Sequence, residues 1–291
     1  MPLSPPVERT AERDAVLDLP DGRRLSYALL GAASGPLVVV LDGPGSRGVA
    51  RAAAPVAAAL GLRLVAPDRA GFGASSPAPK RGIADWPADH AALLDALGAE
   101  RAGILAQSGG TPYALVAGAA LGERITAIAL IGALAPLADA ATLAEAGPQI
   151  RTGAKLARRA PWALRLALRA AGRNPGKAAA KAANDLPPVD AEIMRDPLHW
   201  DIHERATAEI LSRPAAVAHE IALLARPWGF AIEDCRVPVA FWSGDRDITH
   251  PTSHSRRLAA RLGDAPVHVV PDAATFGVLP HYGDALRFAT G

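Results

Sequence analysis

The chain has 291 residues, half of them hydrophobic, and its 31 basic and 29 acidic side chains nearly cancel. That balance gives no long-range electrostatic reason to bind nucleic acid, and no apolar run reaches the length of a membrane span. The lone cysteine, Cys235, excludes an intramolecular disulfide and reads as a small buried filler.

Residues Met1 to Glu8 lack the cationic stretch and apolar run of a leader, so a soluble, cytoplasmic chain is expected, with neither nucleic acid nor membrane as a partner. Residues 15–20 and 23–30 read as two strands joined by Pro20-Asp21-Gly22, a hairpin signal because Asp-Gly accepts the positive φ of a tight turn. Short apolar runs at 36–41, 62–66, 102–106 and 125–131 then alternate with helical patterns near 48–60, near 84–98 and from 109. Strands at 237–242 and 266–270, with helices near 252–262 and 282–289, complete the alternation. Apolar strands between helices predict a mostly parallel sheet covered on both faces. Between them, residues 132–230 show no strand; rich in Ala, Leu and Arg and broken by Pro161, Pro175, Pro187, Pro188, Pro197 and Pro214, they predict several short helices.

The segment Gly103-Ile104-Leu105-Ala106-Gln107-Ser108-Gly109-Gly110 joins an apolar strand to a small-residue helix through a serine. A sharp strand-to-helix turn leaves room only for small residues around that serine, so the segment reads as a nucleophile elbow, with Gly110 fitting the pattern and Ala106 departing from it. Three further segments carry site-like motifs: Leu41-Asp42-Gly43-Pro44-Gly45 after the third strand, Pro67-Asp68-Arg69-Ala70-Gly71-Phe72-Gly73-Ala74-Ser75 after the fourth, and Ser243-Gly244-Asp245-Arg246-Asp247 after the seventh. In element order and in these motifs the chain resembles the α/β-hydrolase superfamily, in its cap-bearing, serine-hydrolase-like branch.

The resemblance implies an α/β-hydrolase fold with a core over 1–135 and 231–291 and a helical cap over 136–230, inserted after the sixth strand. It also implies Ser108 as nucleophile, Asp247 as the acid that orients the base, and Gly43 and Gly109 as backbone donors to an oxyanion. Gln107 and Thr275 are taken as binding residues beside them. The family's histidine follows the eighth strand, where this chain has Ala274-Thr275, and a threonine hydroxyl is no general base at neutral pH. His281 is therefore the first candidate for the base, ahead of His250, His199, His203 and His219. Without a well-placed base, slow labelling by a serine-directed fluorophosphonate is expected. Asp42 stands where the family has glycine and is a candidate acid or base, with a loop cap as the plainer reading.

From Arg151 to Lys181 lie nine basic residues and no acidic one. The run reads as a solvated face, or as a dock for an acidic carrier protein or an anionic substrate, with Trp162 turned inward. The default activity is hydrolysis of a small to medium apolar ester, lactone or thioester. Its rivals are a repurposed non-hydrolytic reaction (elimination, cyclisation or isomerisation) through Asp42, and an inactive binding protein. No metal, nucleotide or flavin motif is present, so no cofactor is expected.

Overall fold

The computed structural model describes residues 11–291, so the reading of Met1 to Glu8 as leader-free lies outside the described residues. Eight strands form one sheet: β1 (Arg13–Asp18), β2 (Arg24–Gly31), β3 (Leu37–Leu41), β4 (Arg63–Pro67), β5 (Ala102–Ser108), β6 (Ile125–Ala133), β7 (Val239–Gly244) and β8 (Val267–Val270). Their spatial order is β1-β2-β4-β3-β5-β6-β7-β8. The hairpin β1–β2 pairs antiparallel and β2 runs antiparallel to β4, while the remaining neighbours are parallel.

Strand pleating assigns alternate side chains to opposite faces. Val39, Leu41, Ile104, Ile128 and Phe241 face one core with helices α2 (Trp86–Ala96), α3 (Thr111–Leu121) and α11 (Thr252–Arg261). Val38, Val40, Leu105, Ala129 and Trp242 face the other with α1 (Gly48–Ala59) and α12 (Tyr282–Thr290). In the central strands both faces are buried, which is why those strands read as continuous apolar runs. Cys235 is buried against α3, and burial pushes its thiol up to about 11.

Between β6 and β7 the chain forms α4 (Ala140–Glu145), α5 (Pro148–Arg159), α6 (Pro161–Ala171), α7 (Pro175–Asn184), α8 (Pro188–Ile193), α9 (Pro197–Ser212) and α10 (Pro214–Leu224). Six of these seven helices begin on a proline. At that position the missing N–H costs no hydrogen bond and the fixed φ suits the first turn. The prolines that break the sequence pattern therefore start helices rather than interrupt them, with Pro187 directly preceding the start of α8. The inserted helices have a small core of their own, Ala157, Leu164 and Ala218. They are fixed to the sheet side by Glu209 of α9, which takes hydrogen bonds from the Arg47 N–H (3.1 Å) and the Arg51 guanidinium.

The turn after β5 is locked to β3 by close approach of backbone: a Cβ on Gly110 would lie 2.0 Å from the Leu41 carbonyl oxygen. Because main chain cannot give way as a flexible side chain does, Gly110→Ala is expected to cost about 3 kcal/mol, an overpacking penalty. Urea unfolding of the variant against the parent measures it.

Candidate functional site

β5 ends on Ser108, whose φ of 51° is left-handed, a conformation that costs a residue with a Cβ about 1–3 kcal/mol. It is held by the Gly110 N–H, which donates to the Gln107 carbonyl (2.8 Å), and by the start of α3 directly behind it. The result is a serine raised off the end of the sheet, with its hydroxyl on a cavity of about 440 Å³. Beneath it the small Ala106 is fully buried.

The histidine at this hydroxyl is His250, whose Nε2 lies 2.8 Å from Ser108 Oγ. It follows β7 in a tight turn that opens on Asp247. The Thr249 and His250 N–H groups both donate to Asp247 Oδ1 at 2.8 Å, and the Thr275 hydroxyl donates to Oδ2 at 2.9 Å. His250 Nδ1 faces that same Oδ2 at 3.6 Å, a separation longer than a hydrogen bond. Burial alone would raise the Asp247 pKa, but the His250 ring and these donors outweigh it and hold the carboxyl below its ordinary value. A third strand shapes the pocket: Gly132, near the end of β6, has φ 50°, and a Cβ there would meet His250 Nδ1 at 3.4 Å.

His281 is not brought to the serine. It sits at the start of α12, its side chain 41 % exposed, with Nδ1 3.7 Å from Asp284 Oδ2. The loop after β8 does not fold back, because Asp190 of α8 accepts the Phe276 and Gly277 N–H groups at 3.0 Å each and holds it in place. Slow fluorophosphonate labelling rested on there being no base near Ser108, and the imidazole of His250 removes that premise. His199 and His203 line the cavity, while the ring of His219 turns to the Arg81 carbonyl (3.2 Å).

Asp42, Gly43, Gln107 and Thr275 share the cavity wall with Ser108 and His250. Gly109 packs against the loop after β3, where its Cβ position lies 3.6 Å from Gly43 Cα. Asp42 Oδ1 accepts the Gly43 N–H at 2.6 Å, and Oδ2 accepts the Ser46 hydroxyl and the Val49 N–H (3.2 Å). Both oxygens thus accept hydrogen bonds from the residue's own loop and from the first turn of α1.

The loop's other side is pinned by a buried charge knot, of which only Arg69 lies in a motif legible in the sequence. Arg69 donates to the Asp42 and Gly43 carbonyls at 3.1 Å each and to Glu220 of α10 at 3.1 Å, and its guanidinium lies 4.4 Å above the Tyr113 ring. Arg81 reaches the other oxygen of Glu220 at 2.6 Å and the Tyr113 hydroxyl at 3.0 Å. Burial opposes charge on the fully buried Glu220, yet the two arginines hold its pKa below the ordinary carboxylate range.

The model of the family described by its alpha/beta hydrolase fold matches residues 36–282. The chain belongs to the alpha/beta hydrolase fold family. Similar solved structures include an α/β-hydrolase fold protein from Nakamurella multipartita, 21 % identical, covering 96 % of this chain and 99 % of that one with a TM-score of 0.69. A thermophilic esterase from Thermogutta terrifontis is 20 % identical over 94 % of this chain and 97 % of its own, with a TM-score of 0.68. An enol-lactonase from Burkholderia xenovorans is 21 % identical over 95 % of this chain and all of its own (100 %), at 0.66. At such identities the likeness is one of fold. No curated protein matches the chain.

Removing the charge of Glu220 leaves two arginines facing each other in the interior. Glu220→Gln is therefore expected to destabilise the α/β-hydrolase fold by about 3 kcal/mol at neutral pH. A carboxyl whose folded pKa is depressed contributes stability that is complete above its unfolded value and drains as pH falls. The gap between parent and variant should accordingly narrow toward acid pH, and denaturant midpoints at neutral and acid pH test this.

Proposed function

We propose that the protein is a serine hydrolase that cleaves esters, lactones or thioesters with an apolar acyl part, using Ser108, His250 and Asp247. The observation that carries this reading is the 2.8 Å contact between Ser108 Oγ and His250 Nε2, with a buried carboxylate behind the ring. With Nδ1 protonated toward Asp247, Nε2 takes the serine proton as Oγ attacks the carbonyl carbon. The imidazolium then returns that proton to the leaving alkoxide or thiolate. Water, activated by the same ring, releases the acid from the acyl-enzyme. The 3.6 Å separation at Nδ1 shortens as the ring gains charge, since catalytic hydrogen bonds tighten on the way to the transition state.

In this reading the Gly109 N–H and the Gly43 N–H receive the oxyanion. At rest the Gly43 donor is shared with Asp42 Oδ1, so the substrate oxygen competes with that carboxylate. Thr275 does not act as a base; its hydroxyl donates to Asp247 Oδ2 beside the ring. The helices of 136–230 serve as a cap on a core of 1–135 and 231–291. They supply Met194, Ile202, Ile210 and Leu211 to the cavity wall, which selects apolar over charged acyl groups.

Ser108→Ala and His250→Ala are each expected to lower turnover of an aryl ester about a thousandfold or more, with His281→Ala unchanged. The parent should label rapidly and stoichiometrically with a fluorophosphonate. Undiminished labelling in His250→Ala would overturn the assignment. Asp42→Asn separates this reading from a proton-moving Asp42. Losing one cap hydrogen bond is worth about 1 kcal/mol, so turnover should stay within about tenfold of the parent, whereas abolished activity with intact folding would favour the non-hydrolytic alternative.

A further inference from the structure

The helix α6 presents an apolar ridge to solvent. Trp162 is 71 % exposed and Leu166 60 % exposed. They lie one helical turn apart and so share a face. The expectation that Trp162 turns inward is thus reversed. The inward stripe consists of Leu164, which is buried, and Leu168, which packs against the same core with Ala157 and Ala218, so the helix is anchored and Trp162 is left over. Arg165 and Arg169, themselves one turn apart and both exposed, flank the ridge. Lys155, Arg159, Arg173, Lys177 and Lys181 are exposed on the neighbouring segments, and no acidic residue lies between 151 and 181. Arg158 differs: it donates to the Ala225 (2.8 Å) and Leu137 (2.6 Å) carbonyls and ties α5 down.

We propose that α6 docks the protein reversibly on an anionic lipid surface, with Trp162 and Leu166 entering the headgroup region and the surrounding cations meeting lipid phosphates. A Trp and a Leu on one helical face inside a field of Lys and Arg is the composition of a helix lying in a membrane interface. The charge alone would suit an acidic carrier protein as well; the bare indole and leucine at its centre favour lipid, where they are desolvated without a matching pocket. Attachment is peripheral, since among the described residues no helix is long and apolar enough to cross a membrane. The same helix ends at Ala171 on the cavity wall, so docking places the lipid surface within the length of one helix from the serine pocket.

Co-sedimentation of the full chain with vesicles tests this, using pure phosphatidylcholine against phosphatidylcholine mixed with phosphatidylglycerol. Binding is expected only to the mixed vesicles, weakened by salt, and accompanied by a blue shift of tryptophan emission that Trp162→Phe reduces. Each cation near such a surface is worth about fivefold in binding, so Arg165→Glu with Arg169→Glu should weaken binding more than about tenfold. Trp162→Ser with Leu166→Ser should weaken it comparably. Both pairs should leave circular dichroism and hydrolysis of a water-soluble ester unchanged. Absence of binding to the anionic vesicles, or binding indifferent to both pairs, overturns the proposal. Capture of a purified acidic carrier protein through these residues with no vesicle binding overturns it too.

Discussion

The candidate site depends on one carboxylate held in one turn. Asp247 gathers the N–H groups of Thr249 and His250 on one oxygen and the Thr275 hydroxyl on the other, and it faces the His250 ring from three residues away. The hydrogen bond that shapes the turn is also the one that sets the direction in which the histidine leaves it. Acid and proposed base are therefore positioned by a single short segment at the carboxyl end of β7, where open α/β sheets collect their ligands. What remains is to bring Ser108 within reach. The left-handed turn after β5 and the bare backbone of Gly132 at the end of β6 provide that.

Much of the fold can be read from the chain because both faces of the sheet are covered, which makes its strands unbroken apolar runs between helical patterns. The serine's position is legible for a related reason, since a tight strand-to-helix turn demands small neighbours. The histidine is not. His250 lies 142 residues from Ser108, and nothing local marks a histidine after a strand as facing a distant hydroxyl. The one signal in the chain is its spacing from Asp247, which lets one turn bind both. Trp162 escapes for a different reason: α6 has two apolar stripes, and helical period alone cannot say which meets the core.

The buried pairs are invisible in the sequence for a physical reason as well. Arg69 and Arg81 share the stretch after β4 while Glu220 lies far along the chain in α10, and nothing local in the sequence says that the three meet in the interior. Together they form a fixed polar link between α10 and the loops after β3 and β4. Such a link contributes orientation more than net stability, because desolvation cancels much of its attraction. Its placement, directly behind the Gly43 peptide, makes the inserted helices and the sheet loops one rigid frame around the serine.

Keeping acid and proposed base together on one turn changes the role of the segment after β8. When a loop must carry a catalytic imidazole, its length and course are confined by the need to deliver that ring to one point. Here residues 275–277 deliver no imidazole to Ser108; they are moored to Asp190 of an inserted helix and present Thr275 and Phe276 to the cavity. In the proposed mechanism this separates two tasks that one loop would otherwise perform. The loop becomes an exchangeable wall, open to insertions and substitutions that reshape the acyl pocket while the proposed acid and base stay anchored on the turn after β7.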